Sequence, residues 1–329
     1  MAGTALQLCL GTVYAWSYFQ KPLVDAYHWS NTQVATAAKW FPDKKGLVTG
    51  MVIMGFGFGA LLMSKVLAPF LLSVTGGDLV KVFALLGVVF TVATAGCGAV
   101  LRNPPPDFAV AGHPAGGAAT AAEDGSAGRA LLSWRFAMMW VIFFCNIVAG
   151  IALIGFQSPL LQDLLRRRDP ALAAAALAAQ GATLIAVSSL FNGAGRFFWG
   201  GLSDRIGRIQ AFRIMLFSQV VVFLLLSVVG HPWIFAALVC YVLLCYGGGF
   251  GTMPSFVLDV FGTRLMPVVY GTILTAWSAA GIAGPQIVAW LRDHQGAQAA
   301  AYAFRIGAAF LAVGAVISLC LTAKPRGKE

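Results

Sequence analysis

Apolar runs of about 20 residues recur along this chain, and a helix of that length can cross the hydrocarbon core of a bilayer. Of its 329 residues, 59% are hydrophobic and only 10% are charged, which is too apolar for one soluble core. The alternation of a transmembrane barrel strand is absent. The sequence therefore predicts an all-α, polytopic membrane helix bundle with nine spans, at residues 4–23, 46–73, 79–101, 136–157, 176–200, 210–229, 233–257, 267–291 and 299–322.

The basic charge of the chain also fits a membrane protein. The net charge is +10, but the Lys and Arg residues are scattered through short loops rather than gathered in a nucleic-acid-binding patch. After residue 101, one set of alternate loops carries ten of them and the other set carries four. By the positive-inside rule, the more basic set, which includes the turn at Asp204 and the C-terminus, is predicted to be cytoplasmic. We therefore expect membrane lipid, and no nucleic acid, among the partners.

A change of composition at residues 102–131 divides the chain. This segment is rich in Pro, Gly, Ala and Ser and begins with Asn103-Pro-Pro-Pro106. Such a composition is typical of a flexible linker. It predicts an incomplete N-terminal half at residues 1–101 with three spans, a cytoplasmic linker, and a C-terminal half at residues 132–329 with six spans.

The beginning of the chain is difficult to orient. We expect residues 4–23 to remain as a span, because no basic segment precedes them and bulky aromatic residues stand where a signal-peptide cleavage site needs small ones. Nine spans with a cytoplasmic C-terminus place the N-terminus outside, yet Lys39, Lys44 and Lys45 before the second span favour the inside. Either the first span runs inward or the polar residues 25–45 cross the bilayer, and neither arrangement is favourable.

No pattern of side chains predicts an enzyme. The six cysteines lie within apolar runs without paired Cys-x-x-Cys or His spacing, so we expect free thiols rather than metal ligands or disulfides. They are Cys9, Cys97, Cys145, Cys240, Cys245 and Cys320. Paired intramembrane carboxylates and a phosphate-binding Gly-x-x-x-x-Gly-Lys sequence are also absent. The sequence thus predicts no metal, no cofactor and no ATP-driven step.

The turn between the fifth and sixth runs carries a specific motif. Residues 200–208 read Gly-Gly-Leu-Ser-Asp-Arg-Ile-Gly-Arg. They resemble the Gly-x-x-x-Asp-Arg-x-Gly-Arg loop motif of the major facilitator superfamily, in its C-terminal copy. Further segments resemble the oxalate/formate antiporter-like branch of that family: Tyr14-Ala-Trp16-Ser-Tyr-Phe, Trp29-Ser, Lys39-Trp-Phe-Pro-Asp43, Asn192-Gly-x-Gly-Arg196 and Gly247-Gly-Gly-Phe-Gly-x-Met-Pro254. The likeness covers nearly the whole chain.

The resemblance implies twelve spans in two halves and accounts for the difficulty at the N-terminus. In that family the Tyr-x-Trp-Ser segment belongs to the first span, and the Lys-Trp-Phe-Pro-Asp segment precedes the fifth. Here only residues 30–38 lie between Trp29 and Lys39. We therefore expect that spans two to four, and with them the N-terminal copy of the loop motif, are missing through a deletion or a faulty gene model.

Arg196 is the candidate substrate ligand. It lies eight residues before Asp204, about 12 Å into the bilayer, where a guanidinium is costly unless it faces a cavity or a partner. By resemblance, it binds a substrate carboxylate. The aromatic residues that the resemblance places around the same cavity are Tyr14, Tyr246, Phe250 and Trp277. Two alternatives stay open: Arg196 pairs with Asp204 or with helix-end carbonyls, and the aromatic residues form an interfacial belt.

The turn itself is predicted to be a conformational latch. By resemblance, Asp204 interacts with the N-terminus of a neighbouring helix, while Arg205 and Arg208 pair with nearby carboxylates, which holds one arrangement of the two halves. The residues of this gating motif are Gly200, Asp204, Arg205, Gly207 and Arg208. The alternative is a cytoplasmic turn whose charges only follow the positive-inside rule.

A run of glycines marks the helix that follows. Residues 247–251 read Gly-Gly-Gly-Phe-Gly, with Pro254 close behind. An isolated helix with so many glycines is unstable. In a membrane bundle, the run is expected to permit both bending and close packing, as a gating helix requires.

The penultimate span has no lysine, and this absence predicts how many carboxylates the substrate carries. Oxalate-type members of the family place a lysine there, whereas residues 275–278 read Thr-Ala-Trp-Ser. Lys65 could supply a second positive charge, but its side chain is expected to extend toward the membrane surface. One guanidinium suits one carboxylate. The sequence therefore predicts a secondary transporter of a monocarboxylate such as pyruvate, formate or lactate, ahead of oxalate, exchanged for a counter-anion or coupled to a proton. The alternative is a non-transporting membrane remnant, either an artefact or a partner-binding paralogue.

Overall fold

The computed structural model describes residues 66–100 and 126–321 and, before them, residues 41, 44, 46–48 and 51. The predicted span at 4–23, the side chains of Tyr14 and Lys65, and most of the predicted linker therefore lie outside the described residues. What is described is almost entirely helical, and no strand occurs within it.

The helices of the described ranges are α1 (Ala68–Val74), α2 (Leu79–Val100), α3 (Ala127–Leu131), α4 (Trp134–Arg168), α5 (Ala174–Ile206), α6 (Arg208–Leu226), α7 (Pro232–Ile273), α8 (Thr275–Gln295) and α9 (Ala299–Cys320). Helix α3 occupies the end of the segment predicted to be a linker. From Trp134 onward, five helices are long and apolar enough to cross a bilayer, with Pro232–Gln295 taken as one. The predicted all-α membrane class is confirmed, while the number of nine spans stays a prediction.

The stretch Pro232–Gln295 is long enough to cross a bilayer twice. It contains 64 residues, about 96 Å of helix if it were straight. Gly262 interrupts it with φ 77° and ψ 174°, a conformation open to glycine because it has no Cβ. The helix continues through residues 247–251 without a break. The backbone is thus helical throughout the run, and the expectation that these glycines permit bending stays a prediction.

The backbones of α5 and α7 are in contact where the two helices cross. A side chain at any of three glycines would overlap the opposite backbone: Gly195 meets Leu244, Gly247 meets Asn192, and Gly251 meets Arg196. Small residues allow two membrane helices to approach this closely. The predicted close packing of the glycine run is thus observed, and it fixes Arg196 against α7.

Helices α4 to α9 surround one apolar core, while α1 and α2 pack against each other through Leu71, Val82 and Leu86. The large side chains at the centre of the main core are Phe143, Phe212, Phe223 and Phe235. Each of these four rings is at most 1% exposed. The core therefore orders all six helices that carry or adjoin the predicted site.

Two polar contacts join helices that are distant in sequence. Nε2 of Gln219 in α6 donates a 2.8 Å hydrogen bond to Oδ1 of Asn146 in α4. The Arg213 guanidinium donates to the carbonyls of Ser318 at 3.1 Å and Leu321 at 3.0 Å, at the end of α9. Carbonyls in the last turn of a helix have no partner within the helix, so Arg213 caps α9.

Candidate functional site

Four of the five residues predicted to bind substrate meet around the ring of Phe250. The guanidinium carbon of Arg196 lies 5.3 Å from the ring centre. Tyr246, one turn earlier in α7, and Trp277 in α8 approach the same ring edge-to-face, with centroids 5.4 Å and 5.5 Å away. Tyr14, the fifth, lies outside the described residues. The structure thus brings residues of α5, α7 and α8 together at one point.

Arg196 is held in a nearly dry environment. It is 3% exposed, and Tyr246 and Phe250 are each 7% exposed. The face of Phe250 stabilises the cation through its quadrupole, and Tyr246 and Tyr270 lie near enough to interact with it electrostatically. A guanidinium in such surroundings presents a planar fork of donors that fits a carboxylate.

Three residues of this cluster were not predicted from the sequence. The ring of Phe143 in α4 meets Phe250 edge-on at 5.2 Å. The ring of Tyr246 lies against Gly150, where any side chain would overlap it, and Tyr270 is near enough to Arg196 to interact with it electrostatically. Phe143 belongs to an unbroken apolar run and carries no distinguishing signal. Gly150 is one of two glycines in the run 136–157, and Tyr270 is the one tyrosine of the run 267–291, so each gave only a weak signal.

The gating motif joins α5 to α6 through a single residue. Gly207 ends α5 and begins α6 with φ 90° and ψ 149°, outside the range of ordinary L-residues. Its N–H donates to the Ser203 carbonyl at 3.0 Å, and its own carbonyl accepts from Ala211 at 3.1 Å. Gly207 therefore places Asp204 and Arg208, on either side of the turn, next to each other.

Asp204 binds the backbone of a distant segment. Its Oδ1 accepts from the N–H of Gly46 at 2.9 Å, and its Oδ2 accepts from the N–H of Leu47 at 2.7 Å. Residues 46–48 are helical, and N–H groups in a first helical turn have no acceptor within the helix. A side chain at Gly46 would overlap the Gly200 carbonyl. The absence of a side chain at Gly46 therefore allows the segment to reach the carboxylate.

Arg208 connects three helices at the same place. Its Nη2 lies 2.6 Å from Oδ1 of Asp204, its Nε donates to Oδ2 of Asp259 in α7 at 3.0 Å, and its Nη1 donates to Oγ of Ser203. Arg205 is exposed and forms no ion pair with any residue that the structure describes. Of the two arginines expected to pair with carboxylates, Arg208 does so within this part of the chain. Asp259 was not predicted, although a carboxylate just beyond the span 233–257 was a usable signal.

Asp204 is the partner of Arg208 rather than of Arg196. The ion pair within the turn and the two backbone hydrogen bonds engage both carboxylate oxygens. The structure therefore does not support the alternative in which Arg196 is neutralised by Asp204. The cluster around Phe250 and the charged turn are two separate groups on one helix, α5.

Other features do not add to this site. A groove of about 470 Å³ between α5 and α7 is lined almost wholly by apolar side chains, such as Leu184, Phe191 and Leu244, and suits a lipid chain better than an anion. In the described ranges, no three His, Cys, Asp or Glu side chains are placed to hold a metal ion. The cysteines Cys145, Cys240, Cys245 and Cys320 are free thiols there.

Membrane-length apolar helices around a buried arginine, with a charged turn at one end, define a multi-pass integral membrane protein. The family model described as Major Facilitator Superfamily matches residues 30–285, well over half of the chain. The chain therefore belongs to the Major Facilitator Superfamily. The family predicted from the loop motif is confirmed.

Several curated proteins are similar in sequence to this chain. The chain is similar to the oxalate:formate antiporter of Oxalobacter formigenes, with 28% identity over 252 residues, 76% of this chain and 56% of that protein. It is similar to apicoplast pyruvate carrier 1 of Toxoplasma gondii, with 28% identity over 295 residues, 74% of this chain and 53% of the carrier. An uncharacterized MFS-type transporter of Escherichia coli, YhjX, is 26% identical over 254 residues, 76% of this chain and 58% of its own length. The chain thus spans little more than half the length of these relatives.

Proposed function

We propose that the protein is a secondary active transporter that moves a small monocarboxylate across a membrane by alternating access. The observation that carries the proposal is the buried Arg196 guanidinium, 5.3 Å from the centre of the Phe250 ring and surrounded by aromatic side chains. A cation inside an apolar span is costly and is a default indication of a substrate or ion pathway. The names of two relatives, an oxalate:formate antiporter and a pyruvate carrier, describe small carboxylates and support the same class.

The preference for one carboxylate follows from the charges near Arg196. Helix α8 contributes Trp277 to the cluster, and its basic residues, Arg292 and His294, stand in its last turn. A dicarboxylate bound at Arg196 would therefore place its second charge against aromatic rings without a cation from α8, which is unfavourable in a dry site. Pyruvate, formate or lactate are the expected substrates, ahead of oxalate.

The charged turn supplies the conformational part of the proposal. In this proposal, the contacts of Asp204 with Gly46 and Leu47 and of Arg208 with Asp259 keep this face of the bundle closed. Opening toward this face, which loop charge predicts to be cytoplasmic, requires the carboxylate to release the two backbone N–H groups. A counter-anion or a coupled proton would supply the energy for net movement.

Uptake by the full 329-residue chain in proteoliposomes tests the proposal. We expect uptake of labelled pyruvate or formate to exceed that of oxalate, and Arg196→Gln to lower it by about tenfold or more, as for loss of a hydrogen bond to a charged group. Arg305→Gln is the matched control, because Arg305 is an exposed arginine that lies against Tyr302 in α9. Unchanged uptake in Arg196→Gln would overturn the substrate role. Absence of uptake by the wild type would favour the non-transporting remnant.

A further inference from the structure

The contact between α4 and α5 carries a buried polar pair on the side of Arg196 that faces away from the Asp204 turn. Oγ of Ser188 donates a 2.8 Å hydrogen bond to Oε1 of Gln157. Ser188 is 1% exposed and Gln157 is 4% exposed. Ser188 precedes Arg196 by eight residues of α5, about 12 Å along the helix.

Polar side chains continue between this pair and Arg196. Ser188, Asn192 and Arg196 follow at intervals of four residues and therefore share one face of α5. Oδ1 of Asn192 is buried and has no hydrogen-bond partner among the described residues. One helical face thus presents polar groups at three successive levels inside an otherwise apolar span.

The same polar character extends one level beyond Gln157. Nε2 of Gln162 donates to Oγ of Ser158 at 3.1 Å. Both side chains lie against Gly181 of α5, where an added Cβ would overlap Oγ of Ser158. Polar side chains therefore lie along the contact of α4 with α5 from Gln162 to Ser188, and the same face of α5 continues to Arg196, where it meets α7.

The hydrogen bond between Ser188 and Gln157 leaves the amide nitrogen of Gln157 available. It occupies the acceptor oxygen of the Gln157 amide, whereas Nε2 makes no hydrogen bond to any residue in the described ranges. This nitrogen does not belong to the fully buried polar atoms that lack a partner, so it keeps some accessible surface. Two N–H donors on one nitrogen suit an anionic oxygen, and a neutral amide binds it more weakly than a guanidinium does. Weak binding is what a transit site needs, because the ion has to leave it again.

We propose that Gln157 forms a second carboxylate subsite, occupied by the anion on its path between Arg196 and the membrane face opposite the Asp204 turn. This inference rests on the proposed transport function and adds a binding residue to it. Nε2 of Gln157 donates to one carboxylate oxygen, while Oε1 of the same amide accepts the hydrogen bond from Ser188.

Transport measured separately from each membrane face tests the subsite in oriented proteoliposomes that contain the full chain. Gln157→Met keeps the length of the side chain but removes the donor. Gln157→Glu keeps an oxygen for Ser188 and replaces the donor by an acceptor. Ser188→Ala is the matched control, because it removes the interhelical hydrogen bond and leaves Nε2 in place.

We expect both Gln157 variants to raise the KM for pyruvate by about tenfold at the face opposite the Asp204 turn. At the other face, the KM of these variants should stay within about twofold of the wild-type value. In Ser188→Ala, the KM at each of the two faces should also stay within about twofold of the wild-type value. Equal changes at both faces, or an equal effect of Ser188→Ala, would show a structural role and overturn the subsite alone. Absence of carboxylate uptake by the wild type at either face would overturn the subsite together with the proposed function.

Discussion

The backbone N–H of Leu47 donates a 2.7 Å hydrogen bond to Oδ2 of Asp204 and so joins two segments that are 157 residues apart. Gly46 donates to the other oxygen at 2.9 Å. The carboxylate therefore lies at the positive end of the helical residues 46–48, where a negative charge is stabilised. The behaviour of these two amides reports directly on the latch.

Substitution of Asp204 by Asn should release residues 46–48. The variant loses the ion pair with Arg208 and one of the two acceptor oxygens, and hydrogen bonds to a charged group contribute about 1.5 to 3 kcal/mol each. We expect the amides of Gly46 and Leu47 to exchange with deuterium about tenfold faster or more. Peptide-resolved hydrogen–deuterium exchange in detergent measures this. Arg205→Gln, a charge change in the same turn, is the control, and equal exchange in both variants would contradict a latch at Asp204.

The contact of Arg208 with Asp259 should contribute measurably to stability. The Arg208 side chain is 10% exposed and that of Asp259 39% exposed, so the pair is only partly screened by solvent. A double-mutant cycle of Arg208→Gln and Asp259→Asn should give a coupling free energy of about 0.5 to 1 kcal/mol, from thermal unfolding in detergent. The coupling should decrease at high salt. A coupling free energy near zero at low salt would show that the ion pair does not stabilise the fold.

The sequence was sufficient to predict the site residues that combine an unusual residue type with an unfavourable environment. Arg196 is a charge within an apolar span, and Asp204 with Arg208 belongs to a spaced motif in a turn. Both signals depend on local chemistry rather than on tertiary contacts. The structure places Arg196 and the described aromatic residues together around Phe250, while their role in binding stays a prediction.

Other parts of the site depend on which helices pack against each other, and short sequence patterns do not indicate those contacts. Phe143 is one of many apolar residues of α4 until α7 brings Phe250 to it. The glycine run 247–251 was expected to permit close packing, but only the structure shows that α5 is the helix whose backbone it contacts. The sequence also did not indicate that the helix is interrupted at Gly262, where the absence of a Cβ permits the positive φ.

Gly207 should not tolerate a side chain. Its φ of 90° with ψ of 149° lies in a region that is nearly exclusive to glycine, and strain of this kind costs about 1 to 3 kcal/mol. We expect Gly207→Ala to lower the free energy of unfolding by that amount in a denaturant titration. Gly155→Ala is the control, because an added Cβ at this position in α4 meets nothing within 4 Å. Equal stability of the two variants would mean that the turn relaxes without cost.

The crossing of α5 and α7 should be sensitive to a single methyl group. A Cβ at Gly251 would overlap the backbone of Arg196, which cannot move as a flexible side chain can. We expect Gly251→Ala to lower the free energy of unfolding by about 1 to 3 kcal/mol, as overpacking does. Gly281→Ala in α8 is the matched control, since its added Cβ has no neighbour within 4 Å. Retained stability in Gly251→Ala, measured by thermal unfolding, would contradict the backbone contact.

The amide pair Asn146 and Gln219 should show strong non-additivity. Both side chains are 0% exposed, and each keeps one polar atom without a hydrogen-bond partner in the described ranges, Nδ2 of Asn146 and Oε1 of Gln219. Asn146→Leu or Gln219→Leu alone leaves the remaining amide buried with fewer hydrogen bonds, which should cost about 1 to 3 kcal/mol. The double variant removes both amides, so its cost should fall below the sum of the single costs by at least about 1 kcal/mol. Thermal unfolding of the four proteins in one detergent measures the difference, and additive costs would show that the two amides stabilise the bundle independently.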